Sequence, residues 1–225
     1  TVIDLVICMP GNADNDAFDV ARDIKGKFPN IHCVVLTPFS HGITKRMQNE
    51  DLSIFDYVFC WLGNTNLILS IIKLIEDKMN LEHDIREAGV QMILLVEDSI
   101  RFYSSILPNL YNYILEQSKN FSKEALNRHA ATMRMRGRPK VVLARTYEEA
   151  KKLYDKYSNN TLGVISDARF PLKSAAKAFG NEVEQDVKPE YGTDTFGREK
   201  CPDAGLQLFR YIRKNDPFVP LILES

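Results

Sequence analysis

Paired-cysteine frameworks have nothing to build on in this chain: it holds 4 cysteines in 225 residues, and Cys8, Cys33, Cys60 and Cys201 show no C-x-x-C spacing. The first three sit in apolar, strand-like runs, which reads as buried free thiols and predicts a reducing, cytoplasmic setting. Long hydrophobic runs are missing too. The longest, over 67–75, is broken by Ser70 and Lys73 and is too short to span a bilayer, so no membrane partner is expected. No basic-then-apolar leader opens the sequence, and Thr1 reads as lying inside a strand, so a fragment of a longer protein is expected. Net charge is nearly absent: 29 basic against 30 acidic side chains leave −1, which argues against a generic nucleic-acid binder. Phosphate loops are excluded as well, because Gly192-Thr193-Asp194 and Gly197 lack the lysine and the strand-to-helix context such a loop needs.

What is present is ordinary globular composition, 44% hydrophobic and 26% charged, with room for about one to two domains. Strands are predicted at 3–8, 32–37, 56–61, 92–97, 140–144, 162–166 and 219–224. Helical periodicity lies between them: Ala17, Val20, Ala21 and Ile24 share one face, as do Ile68, Ile71, Ile72 and Ile75, and Tyr147, Ala150, Leu153, Tyr154 and Tyr157. Such alternation predicts an α/β fold of doubly wound parallel sheets. An internal repeat accompanies it. Asp16-Ala17, Arg22, Ile24, Lys25, Pro29 and Thr37 align with Asp203-Ala204, Arg210, Ile212, Arg213, Pro217 and Ser225, at an offset of 188 over most of the match. Two units follow, 1–88 and 89–225. The second carries two insertions: 100–138, read as a long helix apolar at Phe102, Ile106, Leu110 and Ile114 with Pro108 near a kink, and 172–202, a loop without clear periodicity. The link over 66–88 has no glycine or proline and reads as a continuous helix ended by Gly89.

The chemistry sits at strand ends. Met92-Ile93-Leu94-Leu95-Val96 runs into Glu97-Asp98, and Leu162-Gly163-Val164-Ile165-Ser166 runs into Asp167. Buried parallel strands deliver such carboxylates to the C-terminal edge of the sheet, where open α/β folds bind ligands. Asp98 and Asp167 can there share a small hard cation such as Mg²⁺, which favours carboxylates, waters and phosphate oxygens. That set suits phosphoryl transfer onto Asp167, with the Ser225 hydroxyl at the neighbouring strand end beside the phosphate.

On these residues the second unit resembles the receiver domain of two-component response regulators, a flavodoxin-like fold. Val96-Glu97-Asp98-Ser99 matches that family's acidic pair, Asp167 with Pro171 its phosphoacceptor and following proline, and Ser225 its fourth-strand hydroxyl. The resemblance implies Mg²⁺ as cofactor, held by Asp98, Asp167 and the Arg169 backbone carbonyl with Glu97 beside them, Asp167 as phosphoacceptor and Ser225 as switch hydroxyl. The family's fifth-strand lysine has no counterpart, because the sequence stops at Ser225. The first unit resembles the back half of a second receiver, degenerate because its phosphoacceptor position falls on Val6 or Met9 and its lysine position on Cys60 or Trp61; Thr37 alone is kept. The tandem is similar to the regulatory region ahead of a PEP/pyruvate-binding, phosphoenolpyruvate-synthase-like domain in some bacterial proteins. Implied partners are a phosphohistidine donor, either a histidine kinase or a phosphotransfer protein, and a downstream kinase-like effector domain. The chain itself is then no stand-alone enzyme beyond its own phosphotransfer.

The rival reading is a non-phosphorylated interaction or dimerisation scaffold. A hydrolase working through an aspartyl phosphate ranks last, since Ala168 and Arg169 leave no second aspartate as acid/base. The basic run Arg128, His129, Arg134, Arg136, Arg138 and Lys140 is either a receiver of phosphorylated partners or a solvated helix end. Tyr103, Tyr111 and Tyr113 mark a homodimer seam, a contact with the first unit, or plain amphipathic packing. His83 and His129 read as surface histidines, and Asp14 and Asp16 as a loop and helix cap.

Overall fold

The structure, a computed structural model, describes residues 3–10, 17–38, 52–173, 192–194 and 198–224. Its elements run β1 (Leu5–Cys8), α1 (Ala17–Lys27), β2 (His32–Pro38), β3 (Tyr57–Trp61), α2 (Asn66–Ala88), β4 (Met92–Val96), α3 (Ile100–Lys123), α4 (Arg128–Arg136), β5 (Lys140–Ala144), α5 (Tyr147–Tyr157), β6 (Thr161–Asp167), β7 (Phe170–Pro171), β8 (Lys200–Cys201), α6 (Ala204–Asn215) and β9 (Leu221–Glu224). All seven predicted strands form. Asp14, Asp16 and Ser225 lie outside the described residues.

Two parallel sheets result, ordered β1-β2-β3 and β5-β4-β6-β9, with β7 and β8 as a separate antiparallel pair. Period-two alternation sends neighbouring side chains of the second sheet to opposite cores. Leu95, Val141 and Leu143 join one hydrophobic cluster with α2 and α3, while Leu94, Val96, Val142 and Ala144 join another with Ala150 and Tyr154 of α5 and Leu208 and Ile212 of α6. Helices therefore cover both faces, as in a doubly wound, flavodoxin-like fold.

The link between the units is a single helix of 23 residues, α2, roughly 35 Å long at 1.5 Å per residue. Its first half buries Leu67, Ile71, Leu74 and Ile75 in the first cluster, and Leu81 reaches the second. It ends at Gly89, whose φ of 61° is the left-handed conformation that a Cβ disfavours. Gly89 and Val90 amides there cap the Ile85 and Asp84 carbonyls.

The first insertion forms two helices, α3 and α4, instead of one, and the buried face of α3 is turned by a residue from the expected one. Tyr103, Leu107, Tyr111 and Ile114 are buried, whereas Phe102 is exposed. The reason is the edge of the first sheet. Tyr103 donates its hydroxyl hydrogen bond to the Val58 carbonyl, and the Cys60 amide donates to Ser104 Oγ at 2.9 Å, so α3 satisfies backbone groups that edge strand β3 leaves open. Tyrosine suits that place because it buries an aromatic body and still offers a polar tip. Tyr103 and Tyr111 thus belong to the contact with the first unit, and only Tyr113 of that group is exposed.

Arg138 and Lys140 also depart from the solvated basic run expected of them. Both are buried. Asp77 on α2 accepts from Arg138 Nη1 at 3.0 Å and Nη2 at 2.6 Å, from the Tyr111 hydroxyl at 3.0 Å and from the Val141 amide at 2.9 Å. Lys140 Nζ lies 2.7 Å from Asp84 and 3.8 Å from Asp77. A buried carboxylate needs such donors, so this cluster ties α2, α3 and β5 together. His129 is exposed, as is the His83 side chain.

Candidate functional site

In the second sheet the chain leaves β4 for β5 on one side, then returns to β6 on the other. The crevice beyond the C-terminal ends of β4 and β6 is the topological switch point where open α/β sheets bind ligands. Val96 of β4 pairs in register with Ser166 of β6, so Glu97 and Asp98 emerge beside Asp167. One ligand oxygen from each of Glu97, Asp98 and Asp167 lies within 4.8 Å of the others.

Local structure fixes each group. The Glu97 amide donates to the Ala144 carbonyl at 3.0 Å, and the Ser99 amide donates to Glu97 Oε1 at 2.9 Å where α3 begins. Asp167 ends β6 with its Oδ1 accepting from the Ala168 amide at 2.6 Å. The Ala168 amide also reaches the Glu224 carbonyl of β9 at 3.0 Å, and the Ala168 carbonyl accepts from the Gly205 amide at 3.1 Å. Gly205 is the second residue of α6. A Cβ there would fall onto the Asp167 carbonyl oxygen, 2.8 Å from Leu223 Cδ1 and 3.1 Å from Ala168 Cα, so glycine lets α6 start directly against the acidic strand end.

Electrostatics single out the pair on β4. Asp98 is 0% exposed; its Oδ1 has no hydrogen-bond donor among the described residues, and its Oδ2 meets the Lys200 ammonium at 2.7 Å. Burial raises the Asp98 carboxyl to about 6 although Lys200 pulls it down, with Asp194 and Asp167 adding to the rise. Burial likewise pushes Glu97 up to about 8 against the Ser99 hydrogen bond, with Asp167 and Asp98 adding like-charge repulsion. Clustered carboxylates whose ionisation burial disfavours gain from a nearby cation, and they make a fitting cradle for a hard divalent one. The donor set, all oxygen, suits Mg²⁺ better than a soft metal.

Of the residues read from sequence, Glu97, Asp98 and Asp167 meet. Arg169 lies in the bend after β6, exposed and two residues from Asp167. Thr37 is buried at the end of β2, opposite Cys60. The repeat offset of 188 carries Val35 onto Leu223; Val35 pairs with Cys8 and Leu223 with Ser166, so Met9 takes in the first unit the place Asp167 holds in the second. The alternative position, Val6, falls three residues too early.

Lys200 escaped the sequence reading. It comes from the insertion at 172–202, expected to be structureless, whose described ends are stitched instead: Phe170 pairs with Cys201, Pro171 with Lys200, and Thr193 bridges Glu199. Beside it, Asp194 and Arg198 form a buried ion pair at 2.6 Å. A two-residue strand has no periodicity to detect; the one local signal is its position just ahead of the helix start at Ala204.

All four cysteines are free, and Cys8, Cys33 and Cys60 are buried. Among the described residues no helix is long and apolar enough to cross a membrane. Comparison with protein-family models, with curated proteins and with solved structures finds no match to this chain.

Proposed function

We propose that the chain is a phosphoacceptor module of two-component type, in which Asp167 takes a phosphoryl group from a phosphohistidine donor and thereby regulates a partner or an adjoining effector domain. The observation that carries the reading is the meeting of Glu97, Asp98 and Asp167 at the switch point, with a fully buried Asp98 oxygen that has no donor among the described residues. Asp98 and Asp167 would hold a divalent cation with Glu97 beside them, and the Arg169 backbone carbonyl would be a further ligand. Such a cation supplies neutralisation of the charge that spreads over the transferring phosphoryl oxygens.

Asp167 is the nucleophile. A carboxylate oxygen forms a bond to phosphorus as the phosphorus–nitrogen bond to the donor imidazole breaks, and the bonding pair leaves on that nitrogen. The product is an acyl phosphate at the end of β6, one hydrogen bond from the start of α6 through Ala168 and Gly205. New charge there acts on a helix N-terminus and on β9, the segment leading to Ser225, which serves as switch hydroxyl. The buried free thiols suit a cytoplasmic setting.

Incubation with Mg²⁺ and a small phosphodonor, followed by intact mass measurement of wild type and Asp167→Asn, tests the proposal. A phosphoryl adduct confined to the wild type is expected; its absence from both sinks the reading. The Lys200–Asp98 ion pair favours a second one, a scaffold whose pocket is neutralised internally and takes no phosphoryl group. Mg²⁺ titration separates the two, because the scaffold leaves the carboxylates indifferent to the metal.

A further inference from the structure

We propose, on the cation reading of the acidic pocket, that Lys200 is the resident cation of that pocket: its ammonium occupies Asp98 in the absence of a divalent ion and leaves that carboxylate when one is held there. Metal occupancy is thereby coupled to the β7–β8 hairpin.

Lys200 Nζ sits 2.7 Å from Asp98 Oδ2, one of the three carboxylates that meet there. A single ammonium beside three carboxyl groups leaves the pocket able to take further positive charge. The neighbouring cation Arg198 is engaged elsewhere, with Asp194 through Nε at 2.7 Å and Nη2 at 2.6 Å. A divalent ion drawn to the donor-free Asp98 Oδ1 would repel the Lys200 ammonium on Oδ2 of the same buried carboxylate, so the two compete for Asp98.

Lys200 is also built to move. Its side chain is 22% exposed, so the ammonium can turn to water without stranding a buried charge. Lys140 makes the contrast: at 5% exposed it is pinned between Asp84 and Asp77. The strand that carries Lys200 is two residues long and faces Pro171, which has no amide to donate to the ladder. The Lys200 amide is held instead by the Gly192 carbonyl at 3.1 Å. Short ladders of this kind open at little cost.

Two measurements test the inference, with Mg²⁺ and Mn²⁺ as probes. Calorimetric titration of Lys200→Met should show divalent binding roughly tenfold or more tighter than wild type, since a repelling charge is gone, while Lys200→Arg should bind no tighter than wild type. Acetylation of wild-type Lys200, followed by peptide mass spectrometry, should speed up several-fold at saturating Mg²⁺ with Lys140 unchanged as internal control. Should Lys200→Met fail to fold, the wild-type labelling decides alone. Divalent binding by wild type with flat Lys200 labelling overturns the inference and leaves the metal pocket standing. Binding by no variant overturns both.

Discussion

Arg138 grips Asp77 through two hydrogen bonds, at 3.0 and 2.6 Å, across 61 positions of sequence. Asp77 is fully buried and Arg138 nearly so, which makes this pair the charged joint between α2 and β5. Asp77→Ala leaves the Arg138 guanidinium without its counter-ion in a buried site. A loss of about 3–5 kcal/mol is expected, measurable by urea unfolding with an unchanged m-value. Asp77→Leu combined with Arg138→Met should recover most of it, because an apolar pair removes both charges together. A single-variant loss under 1 kcal/mol would show that the joint contributes little.

Gly205→Ala sets two effects against each other. Alanine in a helix gains roughly 1 kcal/mol over glycine, but the new Cβ meets the Asp167 backbone oxygen and Ala168 Cα, neither of which can rotate away. Overpacking of this kind costs about 1–3 kcal/mol, so net destabilisation is expected. Since the displaced backbone carries Asp167, divalent affinity should fall as well. Chemical denaturation and metal titration of the same variant check both parts.

Asp98→Asn should silence the response to metal. At free Mg²⁺ a hundredfold above its dissociation constant, wild type should gain about 2.7 kcal/mol of stability by mass action, and the variant none. Thermal unfolding with and without Mg²⁺ reads the difference, with Asp77-intact protein in both arms. An equal shift in the two proteins places the metal elsewhere.

The acid limb of stability should depend on Asp56. Burial opposes its ionisation, but the hydrogen bond with His32 Nδ1 at 3.0 Å, Lys78 at 3.1 Å and the Cys33 amide at 3.1 Å hold its carboxyl far below the ordinary 3.8. A carboxyl lowered on folding stabilises the protein above its unfolded value and loses that contribution as pH falls through the folded one. Wild type should therefore exceed Asp56→Asn in stability at neutral pH, with the gap closing as pH drops below 3.8. Denaturant midpoints of both proteins across that range give the comparison, and a gap independent of pH would contradict it.

Much of the fold was legible because its signals are local. Apolar runs bounded by polar residues gave seven strands, a gap without glycine or proline gave α2, and Gly89 marked its end. Glu97, Asp98 and Asp167 were legible for the same reason: a carboxylate that terminates a buried strand needs only the strand to be recognised. The exposed positions Val20 and Ile72 show the limit, for periodicity assigns a helix a face without saying how wide a stripe is covered.

What the sequence by itself determined is the order of strands and helices and the delivery of three acids to strand ends, since periods of two and 3.6 residues are properties of neighbouring positions. Tertiary structure decided which distant groups meet: Tyr103 on the edge of β3, Arg138 on Asp77, Gly205 against Asp167, and Lys200 on Asp98. Those encounters depend on how helices dock and how a two-residue strand pairs, where contacts between residues tens of positions apart outweigh any local preference.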